Sequence, residues 1–182
     1  MKSILISLLL VFSLTLTSCK QTSKKENIVP PDWIKLNLPN GWTVHAPKTF
    51  YVKALQGIDT EPGVINSNQD SIYLQFDCGT AMLKSKNCGF NSEMKEAEKA
   101  IETGFYKEFY KIPLENTAYI DTIDNKVAIF IKPNFSGQGI VAINITDCET
   151  SEWLEITGKN LSPEKEKLVL EIFNTIRLTK PN

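Results

Sequence analysis

The sequence predicts a single α+β domain in which one antiparallel β-sheet is packed by helices. Two observations carry this. Most segments alternate apolar and polar residues with period two, which leaves each strand a polar face, as antiparallel sheets allow and buried parallel sheets do not. Two other segments carry helical signals, one in the middle of the chain from Ser92 and one near its end from Ser162.

The elements follow in order. Ile34 and Leu36, then Trp42 and Val44, alternate with polar residues, and Asn40-Gly41 predicts the turn between them. From Ser71 to Asp77, Ile72, Leu74 and Phe76 face one way while Tyr73 and Gln75 face the other. Between these strands Asp59 and Glu61 lie in a Gly/Pro loop, "GIDTEPG". Ser92 to about Tyr110 predicts a helix with Met94, Ala97, Ile101 and Phe105 on one side. Gly104 within it costs about 1 kcal/mol relative to alanine, which marks a break. Segments 117–123 and 126–132 flank Asp124-Asn125, a two-residue hairpin turn. Gly139 to Thr146 puts Val141, Ile143 and Ile145 on one face, and Trp153 to Thr157 sets Leu154 and Ile156 against Trp153 and Glu155. Ser162-Pro163-Glu164 starts the last helix with a capping hydroxyl, a proline at the first helical position and an acid in the first turn. Leu168, Val169, Ile172, Phe173 and Ile176 form its apolar stripe.

The first 32 residues have a different character. Lys2 precedes an apolar run from Ile4 to Leu16, 13 positions interrupted only by Ser7, Ser13 and Thr15. That is shorter than the roughly 20 residues of a membrane-spanning helix and fits the core of a secretory signal. Leu16-Thr17-Ser18-Cys19 resembles the lipobox of bacterial lipoproteins. The resemblance implies cleavage between Ser18 and Cys19 and lipid attachment at Cys19. Residues 1–18 are then the signal peptide, 19–32 a lipidated tether, and 33–182 the folded domain. A flexible 13-residue tether spans roughly 20 Å, and each buried CH₂ of an acyl chain adds about 0.8 kcal/mol of membrane affinity. Lys20, rather than an acid, follows the cysteine, and by resemblance to lipoprotein sorting rules this implies the periplasmic face of the outer membrane.

A second resemblance lies in the domain. "LPNGWTVHAPKTF" and "EKEKLVLEIFNTIRL" are similar to the opening and close of PsbP/DcrB-like domains. That family implies an α/β/α sandwich in secreted or membrane-attached proteins that mostly bind or assemble other components. No functional residue carries over from it.

The chemistry legible in the sequence is sparse. The chain has 20 basic and 21 acidic residues; without Lys2 the mature balance is 19 against 21, a net of −2, which gives no basic footprint for nucleic acid. Outside the cytoplasm two of Cys78, Cys88 and Cys148 are expected to oxidise. The short spacing favours Cys78–Cys88 with Cys148 a free thiol, although a bridge from Cys148 to either stays open, because connectivity does not follow from sequence. His45 is the only histidine and lacks metal-ligand spacing to the cysteines, so a hydrogen-bonded or surface role is expected over zinc binding or catalysis. Asp59 and Glu61, with Asp70 nearby, lack the spacing of a calcium loop. Phe105, Tyr106, Phe109 and Tyr110 suit a core more than a contact surface. No cofactor or metal is expected. The functional expectation is a monomeric, non-enzymatic envelope lipoprotein that binds or assembles a partner. Alternatives are an immunity or inhibitor lipoprotein directed at a toxic or lytic enzyme, and an envelope enzyme.

Overall fold

The computed structural model describes residues 29–80, 88–104 and 116–179. In chain order the elements are β1 (Trp33–Asn37), β2 (Trp42–Pro47), β3 (Tyr51–Ala54), β4 (Gly63–Ser67), β5 (Ile72–Thr80), α1 (Phe90–Glu102), β6 (Asn116–Ile123), β7 (Lys126–Pro133), β8 (Ile140–Asp147), β9 (Glu152–Lys159), α2 (Pro163–Phe173) and β10 (Arg177–Leu178). Every strand pairing is antiparallel. The strands form a small sheet, β1-β2-β10, and a large one, β3-β4-β5-β9-β8-β7-β6.

Two tight turns set the register of two hairpins. Asn40 and Gly41 take φ of 55° and 77°, the left-handed pair that a type I′ turn needs. The Leu38 amide donates to the Trp42 carbonyl at 2.8 Å, which closes the hairpin so that Leu36 faces Val44. Asp124 and Asn125, at φ of 51° and 61°, do the same between β6 and β7. Tyr119 then lies opposite Phe130, and the two rings stack with centroids 5.2 Å apart.

The two sheets and α2 share one core. Ile72, Leu74 and Phe76 of β5, Val141, Ile143 and Ile145 of β8, and Leu154 and Ile156 of β9 are all buried on the same face of the large sheet. Trp42, Val44 and Ala46 of β2 meet them, together with Val169, Ile172 and Phe173 of α2. Each of the larger side chains contributes roughly 1.5–3 kcal/mol by leaving water. The stripe expected on α2 is therefore real, although the helix ends at Phe173 and Ile176 is buried in the turn after it. The Ser162 hydroxyl donates to Glu164 at 3.0 Å rather than capping a backbone amide.

Among the described residues, the other face of the large sheet is covered at one side, by α1. Val127 and Ile129 alternate with Ala128 and Phe130 along β7, so they point away from the shared core. There they meet Ala97 of α1, with Met94, Ile101, Ala118 and Ile120 packed around them. The two helices thus lie on opposite faces. The amphipathic pattern placed the start of α1 at Ser92, two residues late. Its C-terminal cap is Thr103, and Gly104 follows at φ 69°, the left-handed conformation that stops a helix. The predicted extension of this helix to Tyr110 lies outside the described residues.

Two strands, β3 and β4, run through sequence in which the alternation predicts no strand. β4 has only five residues, flanked by Pro62, Asn68 and Asp70, too short for a periodic signal. It is a strand because β3 and β5 supply its hydrogen bonds on both sides. Its first residue, Gly63, must be small: a Cβ there would stand 2.2 Å from the ring of Phe76.

Candidate functional site

Beyond the cover of α1, no other described element lies on the outer face of the large sheet over β5 and β9. Strand alternation makes the face. Burying Ile72, Leu74 and Phe76 turns Tyr73, Gln75, Asp77 and Gly79 outward, and Tyr73 is 52% exposed. Antiparallel pairing with β9 sets Thr157 against Gln75, Glu155 against Asp77 and Trp153 against Gly79. Lys159 follows one residue beyond the Leu74–Gly158 pair. Gly79 gives Trp153 its place, since a Cβ there would sit 3.1 Å from the indole nitrogen.

Two adjoining hollows lie along this strip, about 400 and 370 Å³ in volume, and both are lined by Gln75, Thr157 and Lys159. The first extends to Asp77, Glu155 and Leu55. The second extends to Tyr73, Asn160 and Lys165. The groove therefore mixes apolar walls, such as Leu55, Phe76 and Leu161, with polar side chains that run from an acidic to a basic end. At the acidic end one Asp77 oxygen accepts the Thr60 hydroxyl at 3.0 Å, while Oδ1 is buried with no hydrogen-bond partner among the described residues. Glu155 accepts the Thr157 hydroxyl at 3.3 Å. At the basic end the Lys165 ammonium donates to the Ser71 carbonyl at 3.2 Å, beside Lys159. Four residues of strand separate Lys159 from Glu155, about 13 Å at the usual rise.

The candidates read from the sequence lie elsewhere. His45 is on β2 opposite Lys35, its amide donating to the Thr175 hydroxyl at 2.8 Å and its Nδ1 buried without a partner. Burial, then the charges of Lys35 and Arg177, hold its pKa below the ordinary 6.5, so the ring stays neutral. Among the described residues, no hydrogen bond or ion pair joins its ring to a cysteine or carboxylate. The Asp59–Glu61 loop and Asp70 do not form a common site. The loop docks at the Cys78 end of β5, where the Glu61 amide donates to the Cys78 carbonyl at 2.9 Å. Asp70 is at the other end, accepting hydrogen bonds from Ser67 at 2.5 Å and Thr49 at 2.7 Å, which hold its carboxyl below the usual range. It is a turn-forming residue. Among the described residues, no group of three or more histidine, cysteine or acidic side chains is placed to hold a metal. Cys19, Phe105, Tyr106, Phe109 and Tyr110 lie outside the described residues.

The favoured cysteine pairing is corrected. The disulfide joins Cys88 to Cys148, not Cys78 to Cys88, and Cys148 is not free. Cys78 belongs to β5's buried face, fully enclosed in the core, with its thiol toward the Glu61 carbonyl 3.5 Å away. Burial, followed by the charges of Glu61, Asp77 and Glu152, pushes that thiol up to about 12. Cys148 instead sits in the β8–β9 turn beside the start of α1, and its amide donates to Glu93 at 3.0 Å. Proximity in sequence favoured the wrong pair because strand parity had already turned Cys78 inward.

The groove residues were individually legible, with Tyr73 and Gln75 outward and Trp153 and Glu155 opposite the core positions. Their meeting was not, because nothing in the sequence pairs β5 with a strand some 80 residues later. The chain matches no family model and no curated protein. Among the described residues no helix is long and apolar enough to cross a membrane.

Proposed function

We propose that this protein is a lipid-anchored, non-enzymatic binding module of the bacterial envelope, and that its ligand occupies the β5–β9 groove. The observation that carries the binding reading is the groove itself: polar and aromatic side chains line a concave strip on a rigid antiparallel sheet. Its carboxylates sit with hydroxyls and an amide, without a nucleophile–base pair among the described groove residues. The anchor reading rests on Leu16-Thr17-Ser18-Cys19 behind a short apolar run. The helices on opposite faces of an antiparallel sheet support a PsbP/DcrB-like sandwich. Lys20 supports placement on the periplasmic face of the outer membrane.

The test is a photo-reactive phenylalanine analogue in place of Tyr73 in intact cells, with the same analogue at exposed Phe135 as control. A defined adduct from position 73 and none from 135 supports the groove; adducts from neither, or equally from both, overturn it. Intact mass tests the anchor. The mature protein should begin at Cys19 and carry lipid that is lost in Cys19→Ser; an unlipidated wild type overturns that part. Protease added to unbroken cells should leave the domain uncut, and digestion there overturns the placement.

A further inference from the structure

We propose that the groove takes a short extended peptide with both ends free, its carboxylate at Lys159 and Lys165 and its ammonium at Asp77 and Glu155. The inference rests on the binding reading above and specifies the ligand from the charge pattern. Opposite charges stand at the two ends of one strip, with Gln75 and Thr157, a side-chain amide and a hydroxyl, between them. An amide and a hydroxyl suit the peptide groups of a ligand, since each can donate and accept. A ligand of single charge would pair with only one end of the strip.

Length selects the ligand further. The cationic and anionic ends are about 13 Å apart along the strands. Four fully extended residues span at most about 13–14 Å, so a tetrapeptide reaches both ends and a dipeptide reaches one. Asp77 lines the acidic end beside Glu155, where an ammonium group would meet their carboxylates. Tyr73, at the basic end of the strip, offers an exposed apolar ring face to the ligand's C-terminal side chain.

Titration calorimetry of the full-length chain in detergent micelles tests this, with tetraalanine as probe. A dissociation constant between about 10 μM and 1 mM is expected for a ligand of this size. Acetylating the amine or amidating the carboxylate should each weaken binding about tenfold, the loss of one charge-assisted contact. Lys159→Gln should reduce the penalty for amidation, with Lys165 left in place, and keep that for acetylation; Glu155→Gln, with Asp77 left in place, should do the reverse. Because the blocked peptides probe the wild-type chain, the outcome does not depend on either variant folding. Equal affinity for free and doubly blocked tetraalanine, or no binding of the free peptide by about 1 mM, overturns the inference. If position 73 still cross-links selectively in cells, only the peptide assignment has failed and the groove stands. If that cross-link is also absent, both have failed.

Discussion

Removing the Cys88–Cys148 bridge should be the most costly single change at the surface of this domain. The two cysteines are 60 residues apart in sequence, and closing a loop of that length removes about 14 cal/mol/K of entropy from the unfolded chain, or about 4 kcal/mol at 25 °C. A domain of this size has roughly 5–15 kcal/mol of stability in all. The bridge fastens the start of α1 to the β8–β9 turn. Without it, α1 is held by Ala97 and its neighbours against Val127 and Ile129 and by the Glu93 contact to the Cys148 amide. Residues 30–182 carrying Cys148→Ser should therefore unfold at about 2 M less urea than the parent, taking a slope near 2 kcal/mol/M. Cys88→Ser should match it, and the double variant should lose no more, because both changes remove one bond. In the parent a single thiol, Cys78, should resist alkylation until the protein unfolds, since the reactive thiolate is scarce when burial holds the pKa near 12. The reasoning is refuted if Cys148→Ser melts like the parent, or if peptide mapping returns a Cys78–Cys88 link.

Three further changes probe the fold. Asp70→Asn should cost about 1 kcal/mol at neutral pH by weakening the turn hydrogen bonds from Ser67 and Thr49. Because the folded pKa is lowered, that contribution is full above the ordinary 3.8 and fades as pH falls through the folded value, so urea midpoints of parent and variant should converge in acid; a constant gap would refute the assignment. Gly63→Ala should destabilise by about 1–3 kcal/mol, because the new methyl collides with the Phe76 ring and with the Lys53 carbonyl at 2.9 Å; calorimetry showing an unchanged melting temperature would count against the packing. Phe173→Ala, which empties a fully buried site between α2 and the sheets, should cost about 3–5 kcal/mol in equilibrium unfolding.

The sequence by itself determined what depends on near neighbours. Asn40-Gly41 and Asp124-Asn125 were readable as turns because those residues tolerate left-handed backbone at little cost. The outward placement of Tyr73 and Gln75 followed from a period of two, and the start of α2 from Pro163. The tertiary structure alone decided what depends on pairing across the chain. Gly63–Ser67 is a strand only because its neighbours complete its hydrogen bonds. Cys88 found Cys148 because the β8–β9 turn and the start of α1 converge, while β5 carried Cys78 into the core. The groove exists because β5 lies beside β9, which sets Asp77 against Glu155 and Gln75 against Thr157. Local preferences fix which way a side chain points. Which side chain it then faces is fixed by burial and register summed over the whole sheet, and no short window of sequence contains that sum.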